Sequence, residues 1–227
     1  MPQAGEFSDR GIACFFISDD DCKTFHEAKQ RLELPFNHPV SGLQEVGAME
    51  LKDGRIWAFA RTGHGYQFES YSEDQGETWG DVLPNEFFTS PNSPMGVKRL
   101  PNGKMLAVFN PIPVYNGRHA IVGSKPFEHA EKTVCYNMYH PYSVYCGRTP
   151  LVCAISDGSP KEFEDYLWPL EDNRSREYCY PAILPNKNYV LISYFKMCST
   201  YGYPAEVRKT PLYGSHIKKV MLSEFED

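Results

Sequence analysis

Residues 44–62 read QEVGAMELKDGRIWAFART and carry a glutamate and an arginine on either side of an Asp-Gly turn. Glu45 lies eight residues before Asp53 and Arg61 eight after it. An Asp-Gly pair between apolar runs is a strong hairpin signal, so Glu45 and Arg61 stand at the entry and exit of one hairpin. Two looser copies follow, RLPNGKMLAVF at 99–109 and ILPNKNYVLISY at 183–194. In that register Ser93 and Asn110 occupy the matching end of the second hairpin, as pocket lining. Tyr178, eight before Asn186, opens the third. Arg148 heads a strand, GRTPLVCAIS, that runs into Ser156. The residue types suggest a chemistry. A guanidinium fork grips a carboxylate with two hydrogen bonds and stays charged at any working pH. A phenol is a neutral nucleophile until a base takes its proton; a nearby glutamate can be that base, and flanking arginines favour the phenolate.

Residues so far apart need a repeating frame to bring them together. A second pattern supplies it. SEDQGETW at 72–79 has the form S-x-D-x-G-x-T-W, with Ser72, Asp74, Gly76 and Trp79. Short side-chain oxygens bond the backbone of such a turn, Gly accepts positive φ, and the Trp folds back as an apolar plug. SDDDCKTF at 18–25 repeats it with Ser18 and Asp20, and Cys22 in the glycine position. SDGSPKEF at 156–163 keeps Ser156 and Phe163. The serines are spaced by roughly 54 and 84 residues, the scale of propeller blades or solenoid units. Each unit then reads as a hairpin, a second strand pair and an Asp-rich turn, about four strands in about 50 residues. The expected fold is all-β, a partial propeller of three to four antiparallel blades. It forms one domain over 1–227, with blades near 1–43, 44–92, 93–177 and 178–227. Long irregular insertions are expected at about 110–147 and 200–215. Equivalent positions in successive blades are related by rotation, so dispersed residues at one end of each hairpin can face one basin.

Composition narrows the function. The 227 residues carry a formal net charge of −6 and no basic run, which argues against nucleic acid as a partner. No apolar run reaches the length of a membrane span, and residues 1–17 show no secretory leader pattern, so a cytoplasmic location is the simplest expectation. Seven cysteines without a C-x-x-C pair suit a reducing compartment and give no metal or disulfide framework. His64 and His119 read as loop residues, and no metal or other cofactor is expected.

On these residues the chain resembles the bacterial sialidases (neuraminidases) of the Asp-box type, which are six-bladed β-propellers. The resemblance covers roughly residues 10–200. It implies that Ser18, Asp20, Ser72, Asp74, Gly76 and Trp79 build structural Asp-boxes. It also implies that the order Glu45, Arg61, Arg148, Tyr is that of the catalytic base, two substrate-binding arginines and the nucleophile. The Y-P-A-I context favours Tyr180 as nucleophile, whereas the hairpin register favours Tyr178. Sialidases are the Tyr-nucleophile exception among glycosidases. The implied activity is exo-hydrolysis of a terminal sialic acid or related acidic sugar from a glycan. The alternative is a non-catalytic sugar-binding or assembly module. The family's first arginine, in an F-R-I-P-like stretch, and its acid aspartate lie before the glutamate. Neither is found here; Asp19, Asp20 and Asp21 belong to a turn. Six blades of about 50 residues need about 300, so the chain is expected to hold the back part of a propeller and to self-associate through uncovered blade faces.

Overall fold

The computed structural model describes residues 11–35, 42–111, 148–163, 166–173, 176–198 and 214–225, together with four short strands between 114 and 136. Three main antiparallel sheets stack face to face. The first contains β3 (Gln44–Glu50), β4 (Ile56–Arg61), β5 (Tyr66–Ser72) and β6 (Leu83–Thr89) in spatial order β3-β4-β5-β6. The second contains β7 (Gly96–Arg99), β8 (Met105–Phe109), β13 (Leu151–Ser156) and β14 (Tyr166–Glu171) in order β7-β8-β13-β14. The third is β15 (Arg176–Pro185), β16 (Tyr189–Cys198) and β17 (Gly214–Met221). A hairpin of β1 (Phe16–Ile17) and β2 (His26–Glu27) precedes them. The only helix among the described residues is a short 3-10 turn, Leu222–Phe225.

Burial follows from the stacking. Every residue of β8 is buried, because both faces of its sheet are covered. Met105, Ala107 and Phe109 pack toward the first sheet with Trp57, Phe59 and Phe88. Leu106 and Val108 turn the other way, toward Ile183, Val190, Ile192 and Tyr194 of the third. A third cluster joins Ala58, Phe68 and Trp79 to Ala13 and Leu32 of the leading segment.

Two of the Asp-rich turns close with the same bonds. Ser72 Oγ donates to Asp74 Oδ1 at 2.9 Å and accepts from Gly76 N at 2.8 Å; Asp74 accepts from Thr78 N at 2.8 Å and Thr78 Oγ1 at 2.6 Å. Ser18, Asp20, Cys22 and Thr24 repeat all four contacts at 3.0, 2.9, 2.9 and 2.8 Å. Trp79 then stacks on Phe15, centroids 4.4 Å apart, which locks the turn of one sheet to the hairpin before it. Phe163, at the end of the third turn, is likewise buried against Phe87 and Phe88.

One expectation about the insertions is corrected. The stretch 110–147 is not wholly irregular, because it contains two small hairpins. These are β9 (Val114–Tyr115) with β10 (Arg118–His119) and β11 (Pro126–His129) with β12 (Thr133–Tyr136). Most of 200–215 lies outside the described residues.

Candidate functional site

Two backbone irregularities mark one end of the stacked sheets. In β3 the pairing with β4 slips between Gln44 and Gly47, so Glu45 and Val46 bulge out of the ladder. In β15 the pairing with β16 slips between Cys179 and Ala182, so Tyr180 and Pro181 do the same. The first residue of each bulge has a left-handed backbone, φ 50° at Glu45 and 55° at Tyr180. Non-glycine residues adopt that region at a cost, and the other described cases, Asp21, Cys22 and Gln75, all lie in the Asp-rich turns. A bulge re-aims a side chain away from the pleat, and here each re-aims the residue with reactive chemistry. The two sites are homologous in the frame. Glu45 is five residues before Glu50, the last paired residue of β3, and Tyr180 five before Pro185, the last of β15.

Arg61, the last residue of β4, lies across from Gln44. Its Nη1 donates to Glu45 Oε2 at 2.9 Å and its Nε to Asn92 Oδ1. Arg148 sits just before β13. Its Nη2 donates to the main-chain oxygen of Asn92 at 3.2 Å, and its guanidinium carbon lies 5.7 Å from the Tyr180 ring centroid, within cation–π range. Glu45, Arg61, Asn92, Arg148 and Tyr180 therefore form one continuous chain of contacts drawn from all three main sheets. Beneath them, burial raises the pKa of the Cys179 thiol, while Arg148 and Arg61 pull it the other way. Both cations thus lie near the same buried thiol. Gly96 sits under the Tyr180 bulge, where a Cβ would stand 2.8 Å from the Pro181 carbonyl oxygen.

The two candidate tyrosines are separated. Tyr180 is 51% exposed. Tyr178 has no exposed surface and belongs to the core between the second and third sheets. Its hydroxyl is pushed up to about 12, first by burial and then by the charge of Glu171, which is the wrong direction for a nucleophile. The register argument for Tyr178 is corrected by the turn geometry. The β15–β16 connection pairs Asn186 N with Tyr189 O, so Asn188, not Asn186, matches Asp53. The pair Lys187-Asn188 lines up with Lys52-Asp53, a signal present in the sequence.

Ser93 and Asn110 present no surface to solvent. Both are fully buried. Ser93 Oγ donates to Asn110 Oδ1 at 2.7 Å, and Asn110 Nδ2 donates to Pro150 O at 2.9 Å. They tie the β6–β7 connection to Pro150, just before β13, because a buried polar group must find a partner. His64 is a loop residue as expected, in the β4–β5 connection, and it is buried there, edge-on to Phe68. Asn92 is the residue that sequence reading missed. Its partners are 31 and 56 residues away, and nothing local in S-P-N-S-P announces it. Among the described residues no cluster of His, Cys, Asp or Glu could hold a metal ion. No described helix is long and apolar enough to cross a membrane.

Comparison with known proteins decides the family. The model of the BNR repeat-like domain matches residues 1–192. The chain belongs to the BNR repeat-like family. Among solved structures it is similar to a K499G mutant of the NanB sialidase from Streptococcus pneumoniae, with 19% identity and a TM-score of 0.53 over 93% of this chain and 27% of that one. It is also similar to a leech intramolecular trans-sialidase, with 18% identity and a TM-score of 0.52 over 93% and 27%. The intramolecular trans-sialidase from Ruminococcus gnavus is similar at 17% identity and a TM-score of 0.50 over 93% and 38%. At these identities the likeness is one of fold, and the BNR domain here has the all-β sheets of a sialidase-type propeller. The chain spans about a quarter of the length of the NanB and leech proteins. Among curated proteins none matches the sequence significantly.

Proposed function

We propose that this BNR domain recognises a sugar carboxylate, sialic acid foremost, and acts on it as a sialidase-like exo-glycosidase. The observation that carries the reading is the chain of contacts Glu45–Arg61–Asn92–Arg148–Tyr180. It brings together two guanidiniums, a carboxylate and an exposed phenol. The arginines bind the carboxylate at the anomeric carbon. That same carboxylate would repel an anionic nucleophile, so a neutral phenol suits the attack. In the attack Glu45 takes the Tyr180 proton as the phenol oxygen bonds the anomeric carbon. The bond to the leaving oxygen breaks, and that oxygen takes a proton from solvent water. In the second step water displaces the tyrosyl oxygen, Glu45 returns the proton to that oxygen, the attacking water releases its own proton to solvent, and the sugar leaves with retained configuration.

Glu45 accepts from Arg61 and serves the phenol as base in this reading, so it is not also the acid for the leaving oxygen. Among the described residues no other carboxylate belongs to this chain of contacts, and a leaving oxygen without a matched acid costs roughly 10²–10⁴ in rate. Turnover should therefore climb steeply as the leaving group becomes more acidic. The test compares two aryl sialosides that differ only in leaving-group pKa, with the unchanged protein and with Tyr180→Phe. Turnover of the activated substrate that Tyr180→Phe abolishes supports the reading. Equal turnover of both substrates would contradict the missing acid, and unchanged turnover in Tyr180→Phe would remove the nucleophile. Binding of sialosides with no turnover of either would leave a sugar-binding module.

A further inference from the structure

Asn92 lies in the β6–β7 connection, which is bolted down by buried polar groups. Ser90 N donates to Gly65 O at 2.8 Å. Gln67 Nε2 donates to Ser90 Oγ at 2.9 Å and to Ser93 O at 2.8 Å. Ser93 reaches Asn110, and Asn110 reaches the carbonyl of Pro150, two residues from Arg148. Gln67, Ser90, Ser93 and Asn110 are each at most 1% exposed. Side chains held this way are costly to unbond, so the loop is held rigidly. From it Asn92 presents two acceptors in different directions. The side-chain oxygen takes Arg61 Nε, and the main-chain oxygen takes Arg148 Nη2. Arginine carries five donors and no acceptor. Fixing one N–H of each guanidinium orients the fork while other donors stay available to a ligand.

We infer that Asn92 is the positioning residue of the arginine pair: its two carbonyl oxygens, one side-chain and one main-chain, set the separation and orientation of Arg61 and Arg148. This rests on the carboxylate-binding reading above and deepens it. The arrangement is asymmetric. Replacing the Asn92 side chain removes only the Arg61 leg, because the main-chain oxygen that holds Arg148 remains. A general structural role for Asn92 would not discriminate between the two arginines.

The test has a readout that needs no ligand. In protein labelled at arginine Nε, the Arg61 Nε–H resonance, assigned by its disappearance in Arg61→Ala, should be protected from solvent exchange. Asn92→Ala should expose it, and Asn92→Asp, which keeps an acceptor, should preserve it. In parallel, binding of N-acetylneuraminic acid should weaken at least about tenfold in Asn92→Ala. That loss should shrink to under about twofold in an Arg61→Ala background and persist in an Arg148→Ala background. Should Asn92→Ala fail to fold, Asn92→Ser removes the same carbonyl and carries the comparison. An Arg61 resonance unchanged by Asn92→Ala, or an equal loss in both arginine backgrounds, overturns the inference. If the unchanged protein binds no N-acetylneuraminic acid while the resonances behave as stated, the sugar reading falls and the positioning of Arg61 stands.

Discussion

A left-handed backbone at Glu45 and at Tyr180 costs something at each residue, roughly 1–2 kcal/mol on general grounds. The frame tolerates both because each bulge is pinned, Tyr180 by the close approach of Gly96 to Pro181 and Glu45 by its 2.9 Å bond to Arg61. The same bulge separates Tyr180 from Tyr178, two residues away on the strand and buried against Tyr194 at 6.0 Å between centroids. Tyr178→Phe removes a hydroxyl that does no chemistry in this account. It should leave turnover within about threefold and change the melting temperature by only a few degrees, as kinetics beside a thermal melt would show. A loss comparable with that of Tyr180→Phe would move the nucleophile. At this scale the sequence was partly readable. Glu45 and Arg61 flank one Asp-Gly turn, so their pairing follows from counting. The choice between the tyrosines does not, because a shift of two residues preserves strand parity while a bulge changes which side chain emerges. Asn92 could not be read at all, since its meaning lies in two arginines supplied by other strands.

The Asp-rich turns show how an element can repeat its bonds with unequal strain. Gly76 has φ 97°, natural for glycine, whereas Cys22 holds the same place at φ 64°. Cys22 is exposed, so little packing is lost on removing its side chain. Cys22→Gly should raise stability by about 0.5–1 kcal/mol, the relief of left-handed strain less the entropy glycine loses on folding, measurable by urea unfolding. A lower stability would show that Cys22 makes a contact this account omits. The turn also has an acid signature. Thr78 hydrogen bonds, side chain first and backbone second, hold the Asp74 carboxyl down to about 2, against about 4 in an unfolded chain. A depressed carboxylate stabilises the fold above its unfolded pKa and stops doing so as pH falls through the folded one. Stability should thus decline between about pH 4 and pH 2, and Asp74→Asn should flatten that part of the profile. These turns and the hairpins with Asp-Gly and Asn-Gly were legible because their chemistry is local. Within 110–147 the signal was uneven: an Asn-Gly pair, Asn116-Gly117, stands between β9 and β10 but with flanks of only two residues each, and the sequence between β11 and β12, Ala130-Glu131-Lys132, has no such pair.

Across the whole molecule, the second main sheet is covered on both faces, and the outer face of the third carries exposed apolar side chains with Lys219 among them. Leu184, Ile217 and Met221, on that face, are 64%, 69% and 41% exposed. Phe16 and Phe25 of the leading hairpin are 64% and 59% exposed. Contiguous exposed apolar surface drives association. Light scattering should find oligomers at high concentration, and Leu184→Glu with Ile217→Glu should reduce them; a clean monomer throughout would count against this. The central claim, however, concerns the arginine pair that the contacts of Glu45, Asn92 and Tyr180 bring together, and calorimetry tests it most directly. The ligands are N-acetylneuraminic acid and its methyl ester, the same sugar without the negative charge. The acid should bind at least about tenfold more tightly than the ester, since hydrogen bonds to charged groups contribute about 1.5–3 kcal/mol. Arg61→Lys and Arg148→Lys, which keep the charge and lose the fork, should each erode that preference. Equal affinity for acid and ester, or a preference untouched by both substitutions, would contradict the account.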